Sequence, residues 1–90
     1  MDKFEKAFQD FEKFLDMQCV LDYNDYEGYV TLDCNYLGQT TSSVLNKLRK
    51  INNINLVVER TMVNDFDYLD VYFTEKAFKY ITNKRYGLEE

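Results

Sequence analysis

Residues 22–38 read DYNDYEGYVTLDCNYLG, and within them the chain settles into a two-residue repeat. Val30, Leu32, Cys34 and Tyr36 alternate with Tyr29, Thr31, Asp33 and Asn35. Successive side chains of a strand point to opposite faces, so this spacing predicts a strand with one apolar and one polar face. The residues just upstream repeat the pattern, with Cys19, Leu21 and Tyr23 set against Gln18, Val20 and Asp22. Between the two runs, Asn24-Asp25-Tyr26-Glu27-Gly28 has the composition of a hairpin turn. Both thiols are expected on the core side with Leu21 and Leu32. Where the turn holds an even number of residues, Cys19 and Cys34 face each other and can be bridged in an oxidising buffer. The other reading is two buried thiols acting as small apolar groups.

Outward from this hairpin the period changes. In the segment Asp2 to Asp16, Phe4, Ala7, Phe8, Phe11, Phe14 and Leu15 recur at three and four, the spacing of one helical face. Asp2 and Lys6 stand four apart on the charged side, a favourable pair on a helix surface. Downstream, Thr40, Thr41 and Ser42 are N-cap candidates for a helix carrying Val44, Leu45, Leu48 and Ile51 on one side and ending at Asn52-Asn53. INLVVERTMV, residues 54–63, is rich in strand formers, and Asn64-Asp65 suits a turn. Asp67 to Phe73 alternates again, with Leu69, Val71 and Phe73 inward and Tyr68, Asp70 and Tyr72 outward. Thr74 is placed to cap a last helix, Glu75 to Asn83, whose narrow apolar face is Ala77, Phe78 and Ile81, with Gly87 as a late stop. The order α-ββ-α-ββ-α predicts one α+β domain spanning 1–90. Its expected form has two layers, a four-stranded antiparallel sheet made of two hairpins and three helices packed on it.

Composition narrows the function. Aromatics make up 17% of 90 residues, which argues for a packed core rather than disorder. Net charge is −5, opposite to the basic footprint of a nucleic-acid binder, and no apolar run approaches the ~18 residues of a membrane span. A cytoplasmic location with reduced thiols is expected. There is no histidine, so the usual general base is missing, and solvated carboxylates explain Asp33 and Asp70 better than a catalytic pair does. No enzyme activity and no cofactor are expected. DYNDYEG does not make a calcium loop. Setting Gly28 as the sixth position puts Tyr23 first and Cys34 twelfth, where Asp and Glu are required. Two cysteines without histidine cannot complete a structural zinc site, so no metal is expected.

What remains is an unusual surface. The outward set of Tyr29, Asp33, Tyr68, Asp70 and Tyr72, with Thr31 and acidic turns, forms an aromatic and acidic sheet face. Tyrosine is enriched at protein interfaces, and carboxylates around it steer toward basic partners. A four-stranded sheet with exposed aromatics is also how RNA-recognition modules stack bases, but the carboxylates here would repel phosphate, so direct nucleic-acid binding is not expected. The expected partner is a protein with a basic groove, such as an enzyme that handles nucleic acid. In size, charge and absence of catalytic residues, the chain resembles the small acidic inhibitors of phages and mobile elements, the anti-CRISPR and anti-restriction proteins, some of which mimic DNA. That resemblance implies an inhibitor bound through this face. Two alternatives bury the tyrosines differently: a homodimer or structural homo-oligomer pairing sheet to sheet, and cover by the Phe-rich N-terminal helix.

Overall fold

The Phe-rich segment forms helix α1, Lys3–Asp16, in the computed structural model of the chain, which describes residues 2–24 and 26–86. Asp2 caps it, its Oδ1 accepting from the Glu5 amide at 2.8 Å. Asp2 therefore serves the backbone instead of pairing with Lys6, whose ammonium donates to Asp10 Oδ1 at 2.8 Å. Phe4, Ala7, Phe8, Phe11, Phe14 and Leu15 are all buried, as their spacing requires. Each large side chain contributes about 1.5–3 kcal/mol on burial. Helix α2, Thr41–Arg49, is capped by Thr40, whose hydroxyl accepts from the Ser43 amide at 3.1 Å. It stops at Arg49, short of Asn52, and Asn53 takes a left-handed conformation with φ of 59°. Helix α3, Glu75–Tyr86, runs beyond the expected Asn83. Thr74 anchors its start twice. Its hydroxyl accepts from the Ala77 amide at 3.3 Å and donates to the Leu56 carbonyl at 2.9 Å. Asp25 and Gly87, expected in the hairpin turn and as a stop signal, lie outside the described residues.

Four strands follow the predicted pairing into hairpins: β1 (Val20–Asn24), β2 (Tyr29–Asp33), β3 (Val58–Asn64) and β4 (Tyr68–Phe73). They form one antiparallel sheet in the order β1-β2-β4-β3. The two strands with the cleanest apolar alternation are central, and the more polar ones are the edges. Each edge strand carries an irregularity, between Val20 and Asp22 in β1 and between Val58 and Arg60 in β3. Bulges of this kind blunt an edge against pairing with other chains. The β1 bulge also overturns an expectation. Val20 pairs with Leu32 and Asp22 with Thr31, so Leu21 is the extra residue and is exposed, while Val20 and Tyr23 pack on the core.

Two further residues depart from the expected positions. Strand β2 stops at Asp33, and Asn35–Leu37 forms a 3-10 turn that leaves Tyr36 exposed instead of inward. Cys19 lies beside Asp33, whose amide donates to the Cys19 carbonyl at 2.9 Å, rather than opposite Cys34. Both thiols are free. In the β1–β2 turn, Asn24 Oδ1 accepts from the amides of Tyr26 and Glu27 at 3.0 and 2.8 Å. Gly28 completes the turn with φ of 75°, and a Cβ there would lie 3.2 Å from the Phe78 ring.

All three helices bury their apolar sides in one core with Val30, Leu32, Leu69, Val71 and Phe73 of the sheet. The Phe11 ring meets Phe73 edge-on at 5.9 Å. Since those strand residues share one side of the sheet, the helices form a single layer over it. Among the described residues, no helix is long and apolar enough to cross a membrane.

Candidate functional site

The residues that alternate away from the core form the other face of the sheet. Register places them in three rows across β1, β2, β4 and β3. The first row is Asn24, Tyr29, Tyr72 and Arg60, and the second is Asp22, Thr31, Asp70 and Met62. The third pairs Asp33 with Tyr68 and Tyr68 with Asn64. All five expected contact residues, Tyr29, Asp33, Tyr68, Asp70 and Tyr72, are therefore on this face. Cover by α1 is overturned, because the phenylalanines of that helix lie in the core on the opposite side.

Within the first row the side chains stack. The Tyr29 and Tyr72 rings are 4.7 Å apart and tilted by 33°. The Arg60 guanidinium carbon lies 3.7 Å from the Tyr72 ring centre. A cation over a tyrosine face is attracted by the ring quadrupole, worth about 0.5–1 kcal/mol at an exposed site. The ladder thus holds two aromatic faces and one charge in a fixed line.

Asp70 differs from its expected role. It is only 7% exposed, at the centre of the face, so it is not a solvated carboxylate free to meet a partner. Thr31 Oγ1 donates to its Oδ1 at 2.7 Å, and Asn64 Nδ2 donates to its Oδ2 at 3.1 Å. A buried charge is tolerated when hydrogen bonds replace its water. Asp70 is therefore a tie joining β2, β4 and β3 beneath the surface. Asp33 is half-buried and also partly committed, since its Oδ1 accepts from the Tyr36 amide at 3.1 Å and starts the 3-10 turn. Tyr68 is half-buried beside it.

The exposed acids stand at the margins. Asp22 lies on β1 and Glu27 in the turn at the first-row end, while Asp65 and Asp67 flank the third-row end. Asn35 Nδ2 donates to Asp67 Oδ2 at 3.0 Å and fixes one of them. Two exposed tyrosines extend the ends, Tyr26 at 95% and Tyr36 at 73% exposure. Arg60 and Met62 carry no sign of this face in the sequence beyond their two-residue spacing, and Asn64, expected in a turn with Asp65, is instead the last residue of β3, paired with Tyr68. Cys34, behind the face, is 2% exposed. Burial first, then the charges of Asp33 and Asp67, push its thiol above the ordinary value, so it is a packing residue and a poor nucleophile. Comparison with protein-family models, curated proteins and solved structures finds no match, so no relative supplies a role for any residue of this face.

Proposed function

We propose that the chain is a small protein-binding module that docks through the open face of its sheet, and that its partner is a protein with a basic groove. An enzyme that handles nucleic acid fits this description, and occupying its groove would inhibit it. The observation that carries the reading is the Tyr29–Tyr72–Arg60 ladder on a sheet face that none of the described helices covers, with acids at the margins. Tyrosine and arginine are the residues that most often dominate interface energies. Stacking them in advance lowers the ordering cost of association. Asp22, Glu27, Asp65 and Asp67 supply the steering charge and Asp70 holds the platform together.

The test is capture from nuclease-treated lysate of the source cells by immobilised protein, at low and then raised salt. A nucleic-acid enzyme should be retained at low salt and released as salt rises, because charge steering is screened beyond roughly 8 Å at physiological strength. Asp22→Lys/Asp65→Lys should lose that enzyme while keeping the wild-type circular dichroism. Duplex DNA should compete with the chain for it. Retention that ignores both charge reversal and DNA sinks the reading. Recovery of the chain alone, with dimers in light scattering that Tyr72→Arg converts to monomers, assigns the face to self-association instead.

A further inference from the structure

On the helix side of the sheet, away from the tyrosine face, a half-enclosed recess of about 140 Å³ lies between α1, α3 and β1. Its walls are Phe8, Phe11 and Leu15 of α1 and Ile81 of α3, with Tyr23 contributed by β1. An apolar cavity of about 150 Å³ lined by the same residue types is known to stay dry and accept one benzene ring. Besides the Tyr23 hydroxyl on the β1 wall, the recess has a charged pair. Glu12 and Lys84, both partly exposed, bound it together, with the ammonium donating to Glu12 Oε2 at 2.7 Å. That hydrogen bond holds the Lys84 ammonium above its ordinary value. The mouth thus offers one strong donor and one strong acceptor side by side, with no net charge. An anionic head would meet the Glu12 carboxylate and a cationic head the Lys84 ammonium. A neutral hydroxyl suits both, accepting from Lys84 and donating to Glu12.

We propose that this recess is a binding site for a small neutral ring bearing a hydroxyl, a ligand of the phenol class, with the ring among Phe8, Phe11, Leu15 and Ile81 and the hydroxyl at the Glu12–Lys84 pair. The site is separate from the open sheet face, so either can fail without the other.

The experiment is an NMR titration of the labelled full chain, following the Leu15 and Ile81 methyl signals, with phenol, benzene and benzoate as probes. Phenol should give saturable shifts at both methyls. Benzene should shift the same signals with weaker affinity, and benzoate should bind at least about tenfold more weakly than phenol, a ratio that a mismatched polar head in a small pocket produces. Lys84→Met, an exposed change, should weaken phenol toward benzene by removing one of its two polar contacts, and leave benzene unaffected. Leu15→Phe should fill the recess and abolish both. Should Leu15→Phe not fold, the Lys84→Met comparison decides alone. Absence of saturation, shifts confined to the tyrosine face, benzoate equal to phenol, or phenol binding unchanged in Lys84→Met would each overturn the proposal.

Discussion

Replacing Asp70 by alanine removes the acceptor of two hydrogen bonds at the centre of the sheet face. The two bonds are unequal. Thr31 is half-buried, so its hydroxyl loses a charged partner where water has little access, a loss of roughly 1.5–3 kcal/mol. Asn64 is exposed and can turn to water, so its loss is smaller, about 0.5–1 kcal/mol. Against this stands the relief of a carboxylate that is 7% exposed. The net expectation for Asp70→Ala is about 2 kcal/mol of destabilisation, and at ~4–8 °C per kcal/mol for a domain of this size Tm should fall by ~8–16 °C. Thr31→Val should cost about 1–2 kcal/mol by leaving the carboxylate short of a donor. The decisive measurement is the double-mutant cycle by urea denaturation. With both partners apolar, no orphaned group remains, so Asp70→Ala/Thr31→Val should be no worse than Asp70→Ala alone, with a coupling of about 1–2 kcal/mol. Additivity of the two single changes within ~0.3–0.5 kcal/mol would refute the tie, since independent sites behave that way.

The β1–β2 turn makes a second prediction: Gly28→Ala should cost about 1–3 kcal/mol in denaturant unfolding, because φ is 75° and the new Cβ would press on the Phe78 ring at 3.2 Å. In the core, Phe11→Ala should cost about 3–5 kcal/mol by the same assay, since the ring is fully buried against Phe14 and Phe73. Cys34 adds a pH dependence. Its thiol is raised above 9.0 in the folded chain, so the unfolded state loses that proton first. Its contribution is then fully present below pH 9.0 and lost as pH rises through the higher folded value, and Cys34→Val should flatten that part of the stability curve. Iodoacetamide at pH 8 should accordingly label Cys19 well before Cys34 by mass spectrometry, as the second is buried and the first is not.

The elements that could be read from the chain are those whose signal is local. The three-and-four spacing of the α1 phenylalanines, the alternation in β2 and β4, and the threonine caps at Thr40 and Thr74 all depend on residues within one or two turns of one another. The departures arise where one strand meets another. Nothing near Leu21 marks it as a bulge, because the bulge exists only in its pairing with β2. Tyr36 continues the alternation in sequence, but Asp33 turns its side chain to the Tyr36 amide and ends the strand. Asp70 looks like a surface acid until Thr31, 39 residues away, is brought beside it. Arg60 gives no local sign of its role for the same reason, as its ring partner belongs to a different strand. The tyrosine set was legible as a face, whereas the division of labour within it was not.

That division bears on the docking proposed for this face. Four strands at ~4.8 Å and three rows at ~6.8 Å give a flat area of roughly 400 Å², about half of what each partner buries in a standard interface. Docking on the ladder alone would therefore be weak. The shortfall is met only if the footprint continues over the ends, where Tyr26 and Glu27 extend the first row and Tyr36, Asp65 and Asp67 extend the third. Because Asp70 is tied down and Arg60 offsets one negative charge, most of the free acidity also lies at those ends. Charge reversal at Asp65 and Asp67 should then slow association and blunt its salt dependence, while Tyr72→Ala should speed dissociation with little change in the on-rate. Surface-plasmon measurements with whichever enzyme the lysate capture retains separate the two. If Tyr72→Ala and the end reversals act on the same rate constant, the ladder and the acidic ends are not the anchor and the steering charge of a shared interface.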